Sequence, residues 1–562
     1  MDRFVITMGD FLKNAGIVGL QYMLDTAEAQ KKRDYGYTED GQAFWINAEY
    51  ALQADWTGMY FQAFIKYFGP STTYQGVLER IERCLRKIER GNWQPGKEEK
   101  EDIKYISSKL LSNSYQSGYE NIRDRIEKPE VYVNLKKSKF NEKTEPEELK
   151  RRLTELKAFL EQPLCKETLS MKSIAYTYIN RFWDGKCFLL RANAKKDTKE
   201  LFEKEFSIPL VNYWRGEREK RKELCIDCGM PMSAKEKVSF AFLKDMADDL
   251  SRKRSAFWDC KVDAFLCPVC AFVYALSPLG FQLYANKFVF IQNNENVETL
   301  VRTNIKFNKE NIDEKEKHEK EKYSAWFARL LNMVLKEKAG ELYNIQVILR
   351  GVGQEDAYQL QVIQKPVLLV FQEDKVTTGL GWLGKHPFVR IGNEYLNVHE
   401  QAVMNMIQFR KQYGLLHRLM RELVENNAIL PTAYWVHTIQ VWTRVCKENL
   451  GEKERKGVTM GIRTMRDSGY ALRKEILRAK DTDKDECMRG TVYQLLNALS
   501  VKNEEKYMDI IVRLYSSSKL LIPDEFMYML GNKERFQEYG YAFVLGLKGS
   551  HSQNGKEEKS NA

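Results

Sequence analysis

The chain has 562 residues, 43% hydrophobic and 12% aromatic, which is enough apolar material for about three or four packed domains. A formal net charge of +11 with 30% charged residues permits a nucleic-acid partner without demanding one. No targeting segment, internal repeat or lipidation motif is apparent, so the reducing cytoplasm is the expected setting.

The N-terminal stretch Met8 to Leu20 places Ile17, Leu20 and Leu24 at helical spacing, with Asp10 or Asn14 as candidate caps. Gly16 and Gly19 on that helix would let another backbone, of protein or nucleic acid, come close, and tight packing is the plainer reading. Leu78, Ile81, Leu85 and Ile88 form a second helical stripe. Leu149, Leu153, Leu156 and Leu160 form a third, opened by Thr144 and Pro146 and stopped by Pro163. Between these two, Leu111 to Tyr119 reads as a polar, aromatic loop. Its amides and hydroxyls could touch base edges, although such loops are commonly plain turns.

Cys225-Ile-Asp-Cys228-Gly229 and Cys267-Pro268-Val269-Cys270 carry the strongest chemical signal. The two-residue spacers let each pair turn both sulfurs toward one ion, and Gly229 and Pro268 suit the knuckle turns. The pattern predicts a closed, four-cysteine structural zinc site rather than a catalytic one, because no coordination position stays open. Disulfides fit poorly with ten scattered cysteines and no signal peptide. A redox motif, an iron–sulfur cluster and inert buried thiols are the other readings. The pairs are separated by 38 residues, which requires a small insertion clamped at its base. That insertion carries Arg252, Lys253 and Arg254 beside Phe257 and Trp258, a mixture that could hold phosphate and stack on bases. Asp245, Asp248, Asp249 and Asp259 dilute the field, Cys260 reads as a small core residue, and a solvated helix face is the plainer account. The uncharged run Ala264–Ala285 is about long enough to span a bilayer, but its cysteines and prolines favour a buried helix after the second knuckle.

Residues 306–322 are a mixed-charge run suited to an exposed helix end or loop, and an amphipathic helix through Trp326, Leu330 and Val334 ends at Gly340. The period then changes to two. Ile345, Val347 and Leu349, then Tyr358, Leu360 and Val362, then Val367 to Phe371 predict strands of a small sheet. From Asn397 to about Gly546 the pattern is helical, which predicts a bundle of four or five helices, and the polar tail from Gly549 reads as disordered. Between Arg444 and Lys480 there are eleven Lys or Arg against five Asp or Glu. Arg463, Arg466, Tyr470 and Arg473 are spaced for one helix face, with Lys474 and Arg478 in the next row. Such a face could follow a phosphate backbone or simply be solvated.

No catalytic constellation emerges. The six histidines, at 318, 386, 399, 417, 437 and 551, join no metal or triad pattern. Gly379 to His386 approaches a phosphate-binding loop, but His386 stands where the magnesium-binding hydroxyl belongs and Pro387 follows. The fold class expected is α+β, mostly helical and multidomain. Its parts are a mostly helical domain over 1–204, a zinc-finger-like domain over 205–295, a helix with a small sheet over 296–396, a helical bundle over 397–546, and a tail over 547–562.

The N-terminal Gly-Asp-Phe-Leu-Lys-Asn-Ala-Gly-Ile segment at residues 9–17, the mid-chain cysteine pairs and the C-terminal bundle together resemble the large subunit of the type I-B CRISPR surveillance complex, Cascade, in its Cst branch. The resemblance runs from about residue 9 to 545. It implies a non-catalytic subunit of an RNA-guided complex that recognises the protospacer-adjacent motif in double-stranded DNA and helps to open the duplex. It implies guide-RNA-containing subunits as partners, a separate helicase-nuclease that acts afterwards, and no membrane. It carries Cys225, Cys228, Cys267 and Cys270 over as metal ligands. Asn113, Ser114 and Gln116, with Asn14 in reserve, become candidates for motif contact. Arg463, Arg466 and Arg473, with Lys474 and Arg478, become candidates for backbone contact. An internal start at Met404, Met406, Met420 or Met460 would yield a separate small subunit. A zinc-containing nucleic-acid-processing enzyme and a protein-binding scaffold are the competing readings. The enzyme would turn over a defined substrate, and the scaffold would give no nucleic-acid crosslink.

Overall fold

The computed structural model describes residues 2–94, 96–140, 144–217, 221–246, 263–284, 287–304, 345–351, 357–392, 394–482 and 484–551. The chain divides into two compact units, Met1–Ile312 with Gln346–Gln361 and Asp313–Ile345 with Val362–Ala562. It is mostly helical with small sheets, as the sequence predicts. The insertion bearing Arg252 to Cys260, the charged run at 306–322 and the helix expected through Trp326, Leu330 and Val334 lie outside the described residues.

The first unit opens with strand β1 (Arg3–Thr7), helix α1 (Phe11–Thr26) and strands β2 (Tyr35–Tyr37) and β3 (Ala43–Asn47), giving a sheet of order β1-β3-β2. Asp10 caps α1 by accepting from Lys13 N at 2.9 Å. Thirteen of the sixteen α1 residues are buried, so this helix is covered on nearly every side rather than along one stripe. Its glycines explain how. A methyl on Gly16 or Gly19 would overlap the carbonyls of Val273 or Leu276, and one on Gly280 would overlap the carbonyl of Ala15. The backbones therefore touch without side chains between them.

Helices α2 (Ala48–Gln53) and α3 (Trp56–Phe68) complete the central core, where Trp56, Tyr60, Phe64, Trp183 and Phe202 pack together. Helices α4 (Thr73–Glu89), α5 (Lys97–Leu110), α6 (Asn113–Ile122), α7 (Glu130–Lys137), α8 (Pro146–Glu161) and α9 (Pro163–Thr177) share a second core of Ile81, Ile103, Leu149, Leu153 and Leu160. Helix α6 corrects the loop expected at 111–119. Tyr115, Tyr119 and Ile122 recur at intervals of four and three and all enter this core.

Helices α10 (Thr198–Phe202) and α11 (Ile208–Arg215) lead to two ribbons, β4 (Glu223–Leu224) with β5 (Pro231–Met232) and β6 (Val238–Ser239) with β7 (Phe265–Leu266). Helices α12 (Pro268–Ala275) and α13 (Ser277–Gly280) follow, then strand β8 (Gln282–Tyr284). The uncharged run after the second knuckle is thus two short helices and a strand, not one helix. Among the described residues no helix is long and apolar enough to cross a membrane. Strands β9 (Lys287–Gln292), β10 (Ile345–Gly351) and β11 (Gln359–Ile363) join β8 in a sheet of order β11-β10-β9-β8, and α14 (Val297–Asn304) packs on β9.

The second unit begins with α15 (Lys365–Gln372), where a third strand was expected. Val367, Val370 and Phe371 are buried while Leu369 is 45% exposed, so the apolar run follows a helical period and Pro366 opens it. The glycine-rich run Gly379–Gly384 lies inside α16 (Asp374–Lys385) and forms no phosphate loop; Gly379 rests against Trp435 and Ile439. A ribbon of β12 (Phe388–Ile391) and β13 (Glu394–Asn397) precedes the bundle. Eight helices are described there rather than four or five: α17 (Val398–Ile407), α18 (Tyr413–Leu423), α19 (Leu430–Lys447), α20 (Glu452–Ala479), α21 (Arg489–Ser500), α22 (Glu504–Ser518), α23 (Glu525–Met529) and α24 (Lys533–Leu547). Gly469 and Gly546 let α20 and α24 pack backbone to backbone. Arg444 grips the fully buried Glu538 with two hydrogen bonds of 2.7 and 2.9 Å.

Candidate metal centre

The first knuckle is a tight hairpin. Cys225 N donates to Met230 O at 2.9 Å, Gly229 N donates to Cys225 O at 3.0 Å, and Gly229 takes a φ of 68° that a side chain would strain. The second knuckle is a helix start. Cys267 is the N-cap of α12, its sulfur accepting from Cys270 N at 3.5 Å, and Pro268 occupies the first helical turn where no amide donor is needed. The β6–β7 pairing and the hydrogen bond from Ile226 N to Phe265 O, 3.0 Å, bring the two knuckles face to face.

All four sulfurs lie within 4.8 Å of one another, and Cys228 Sγ and Cys267 Sγ are 3.7 Å apart. Tetrahedral thiolates around zinc at 2.3 Å would stand about 3.8 Å apart. Cys267 N also donates to Cys225 Sγ at 3.2 Å. Hydrogen bonds among the four sulfurs push the Cys225 and Cys228 thiols down and the Cys267 and Cys270 thiols up, so these sulfurs titrate as one group. The donor set fits a four-coordinate cation with no open position.

The N-terminal helix completes the surroundings. Lys13, 1% exposed, sets its ammonium 3.0 Å from Asp227, the residue between the first two cysteines. Tyr274 on α12 donates to Asp10 Oδ2 at 2.8 Å. Segment 9–17 and the cysteine pairs are therefore one assembly, joined by an ion pair, a hydrogen bond and the glycine contacts of α1. The Lys13–Asp227 pair was not foreseen, although both residues stand inside segments that the sequence singles out.

The nucleic-acid candidates fare differently. Asn14 is fully buried; its amide accepts from Gly9 N and donates to Gly9 O and Asn294 Oδ1, which leaves no face for a base. In α6, Gln116 Nε2 is turned back to Leu111 O at 2.6 Å, and the Ser114 hydroxyl is buried. Asn113 alone of that trio is exposed. Arg473 is spent on Asp485, which also receives Lys548 at 3.2 Å; despite burial, these two cations hold the Asp485 carboxyl below its ordinary range. Lys474 and Arg478 are exposed on α20, Arg463 is 65% exposed, and Arg466 turns inward toward Tyr434. Met404 and Met406 lie within α17, Met420 within α18 and Met460 within α20, so a start at any of them begins inside a helix.

No curated protein and no solved structure matches the chain. Residues 218–282, which hold both knuckles, match the family model of a CRISPR-associated protein named for its two Cys-x-x-Cys pairs, and over that segment the match indicates a CRISPR-associated protein family.

Proposed function

We propose that this chain is a non-catalytic large subunit of an RNA-guided Cascade complex of the type I-B class, which recognises the protospacer-adjacent motif in double-stranded DNA and holds the opened duplex before a separate helicase-nuclease acts. The observation that carries this reading is the convergence of four sulfurs inside the segment matched by the CRISPR-associated model. Zinc is the ion proposed, because four thiolates at these separations suit it and closed sites of this kind serve folding. Its holders are Cys225, Cys228, Cys267 and Cys270, and its contribution is rigidity in the core that seats α1. The basic, exposed residues of α20 support a nucleic-acid role for the second unit.

The test is to purify the tagged chain from its native cell and sequence the RNA that accompanies it. Short RNAs of uniform length with a constant repeat-derived end are expected. Their absence, with the neighbouring subunits confirmed as expressed, would overturn the assignment.

A further inference from the structure

The second unit contains a cleft of about 140 Å³ between α19, α20 and α24, with the start of α16 at its rim. Lys375, Arg463 and Arg466 line it, and no carboxylate does. Arg444, Arg455, Arg473 and Lys548 are each paired with an acid. Among the described residues, Lys375 and Arg466 have no acidic partner. Arg466 Nε is buried with no hydrogen-bond partner, a costly state for a guanidinium that an oxyanion would relieve. Both cations are held against ring faces. Lys375 Nζ lies 4.7 Å from the Trp442 ring, and the Arg466 guanidinium lies 5.1 Å from that of Tyr434. Arg463 has only Asp467, at 3.6 Å.

We infer that this cleft seats a phosphodiester of a single nucleic-acid strand, with Lys375, Arg463 and Arg466 as its ligands. The volume suits one phosphate and part of its sugar, not a whole nucleotide. An extended polyanion is favoured over a small one by the rest of α20. Lys456, Arg463 and Lys474 are exposed and recur at seven and eleven residues, within about 20° of one another on a helix of 3.6 residues per turn. They make a basic stripe about 27 Å long that leads past the cleft, with Glu452 paired to Lys456 at 2.8 Å and Asp467 on the same face. Cations beside aromatic rings are the usual surface for an unpaired strand, whereas a shallow basic face suffices for duplex.

This inference rests on the nucleic-acid reading of the chain, and the experiment separates the two. The full-length protein is titrated with a fluorescein-labelled single-stranded oligonucleotide and with its duplex, across a salt series. The Lys375→Ala/Arg463→Ala pair alters exposed residues only, and Arg466→Lys keeps the buried charge while losing the planar fork. The three changes together should weaken single-strand binding about tenfold or more and flatten the salt slope by about 0.7, for the one phosphate the cleft holds. Arg473→Ala should leave the slope unchanged. Strand binding with an unaltered slope in the triple variant would overturn the cleft and leave the wider reading standing. Loss of polyglutamate binding in its place would assign the cleft to an acidic protein. Displacement of the strand by an equal concentration of inorganic phosphate would make it a small-anion site. A wild-type chain that binds neither strand nor duplex would overturn both readings.

Discussion

In the first unit four sulfurs, Asp227 and Lys13 meet at one point between α1 and the two knuckles, beside separate pairs of buried arginines such as Arg221 with Glu236 and Arg350 with Asp245. In the second unit the charge is spread along helices as separate pairs, Arg444 with Glu538, Arg455 with Glu373, Arg473 with Asp485. The first arrangement concentrates stability in a single centre, so one lesion there should undo many contacts. The second distributes it, and it lets a cation without a partner stand out. Pairing separates structural arginines from available ones more sharply than position on a helix wheel does.

The largest effect that would test this contrast is at the centre. Cys267→Ser or Cys225→Ser should lower bound zinc and destabilise the first unit, since binding free energy at such sites is folding free energy, on the order of 10 kcal/mol in small zinc domains. Metal content by mass spectrometry and a two-transition melt measure it. Full loading with unchanged melting would refute the site.

Arg444→Ala comes next. It strands a buried carboxylate and should cost the bundle about 3–5 kcal/mol in denaturant unfolding. A cost confined to surface-pair size, under about 1 kcal/mol, would show that the pair is hydrated in solution.

His437 offers a subtler test. Burial pushes its imidazole down to about 4, and its Nε2 lies 2.8 Å from Glu538 O. A lowered value gives stability that is present above the unfolded pKa, near 6.5, and is lost as pH falls through about 4. The neighbouring Glu538 acts oppositely, because burial lifts its carboxyl to about 7 against the pull of Arg444. The comparison is therefore between wild type and His437→Gln. The variant should gain on wild type by about 1.4 kcal/mol per pH unit at most as pH falls from 6.5 toward 4. Parallel stability curves would contradict that burial.

The smallest effect is the most pointed. Arg463→Ala, at an exposed position, should change bundle stability by less than about 0.5 kcal/mol. A larger loss would make it one more structural arginine.

The cysteine cluster was legible because its spacing alone demands convergence, and α1, α4 and α8 were legible from apolar periods. What failed had a common cause. Residues 113–122 look polar, but their three buried positions follow a helical period, and the core they enter is built by α4, α5, α8 and α9. Val367–Phe371 is too short for period alone to separate strand from helix. Arg473 and Arg466 share a helix and a residue type, and only Asp485, twelve residues beyond Arg473, sets their fates apart. Lys375 could not be placed with them at all, since α16 reaches the cleft through tertiary packing.

The seating of α1 also fixes an order of events during synthesis. Asp10 and Tyr274 stand 264 residues apart in the chain. At roughly 5–20 residues per second, the N-terminal helix leaves the ribosome roughly 13 to 50 seconds before its cradle exists. Through that interval α3 can already pack on the helix, but the face that Val273, Leu276 and Gly280 later close stays open until the second knuckle emerges.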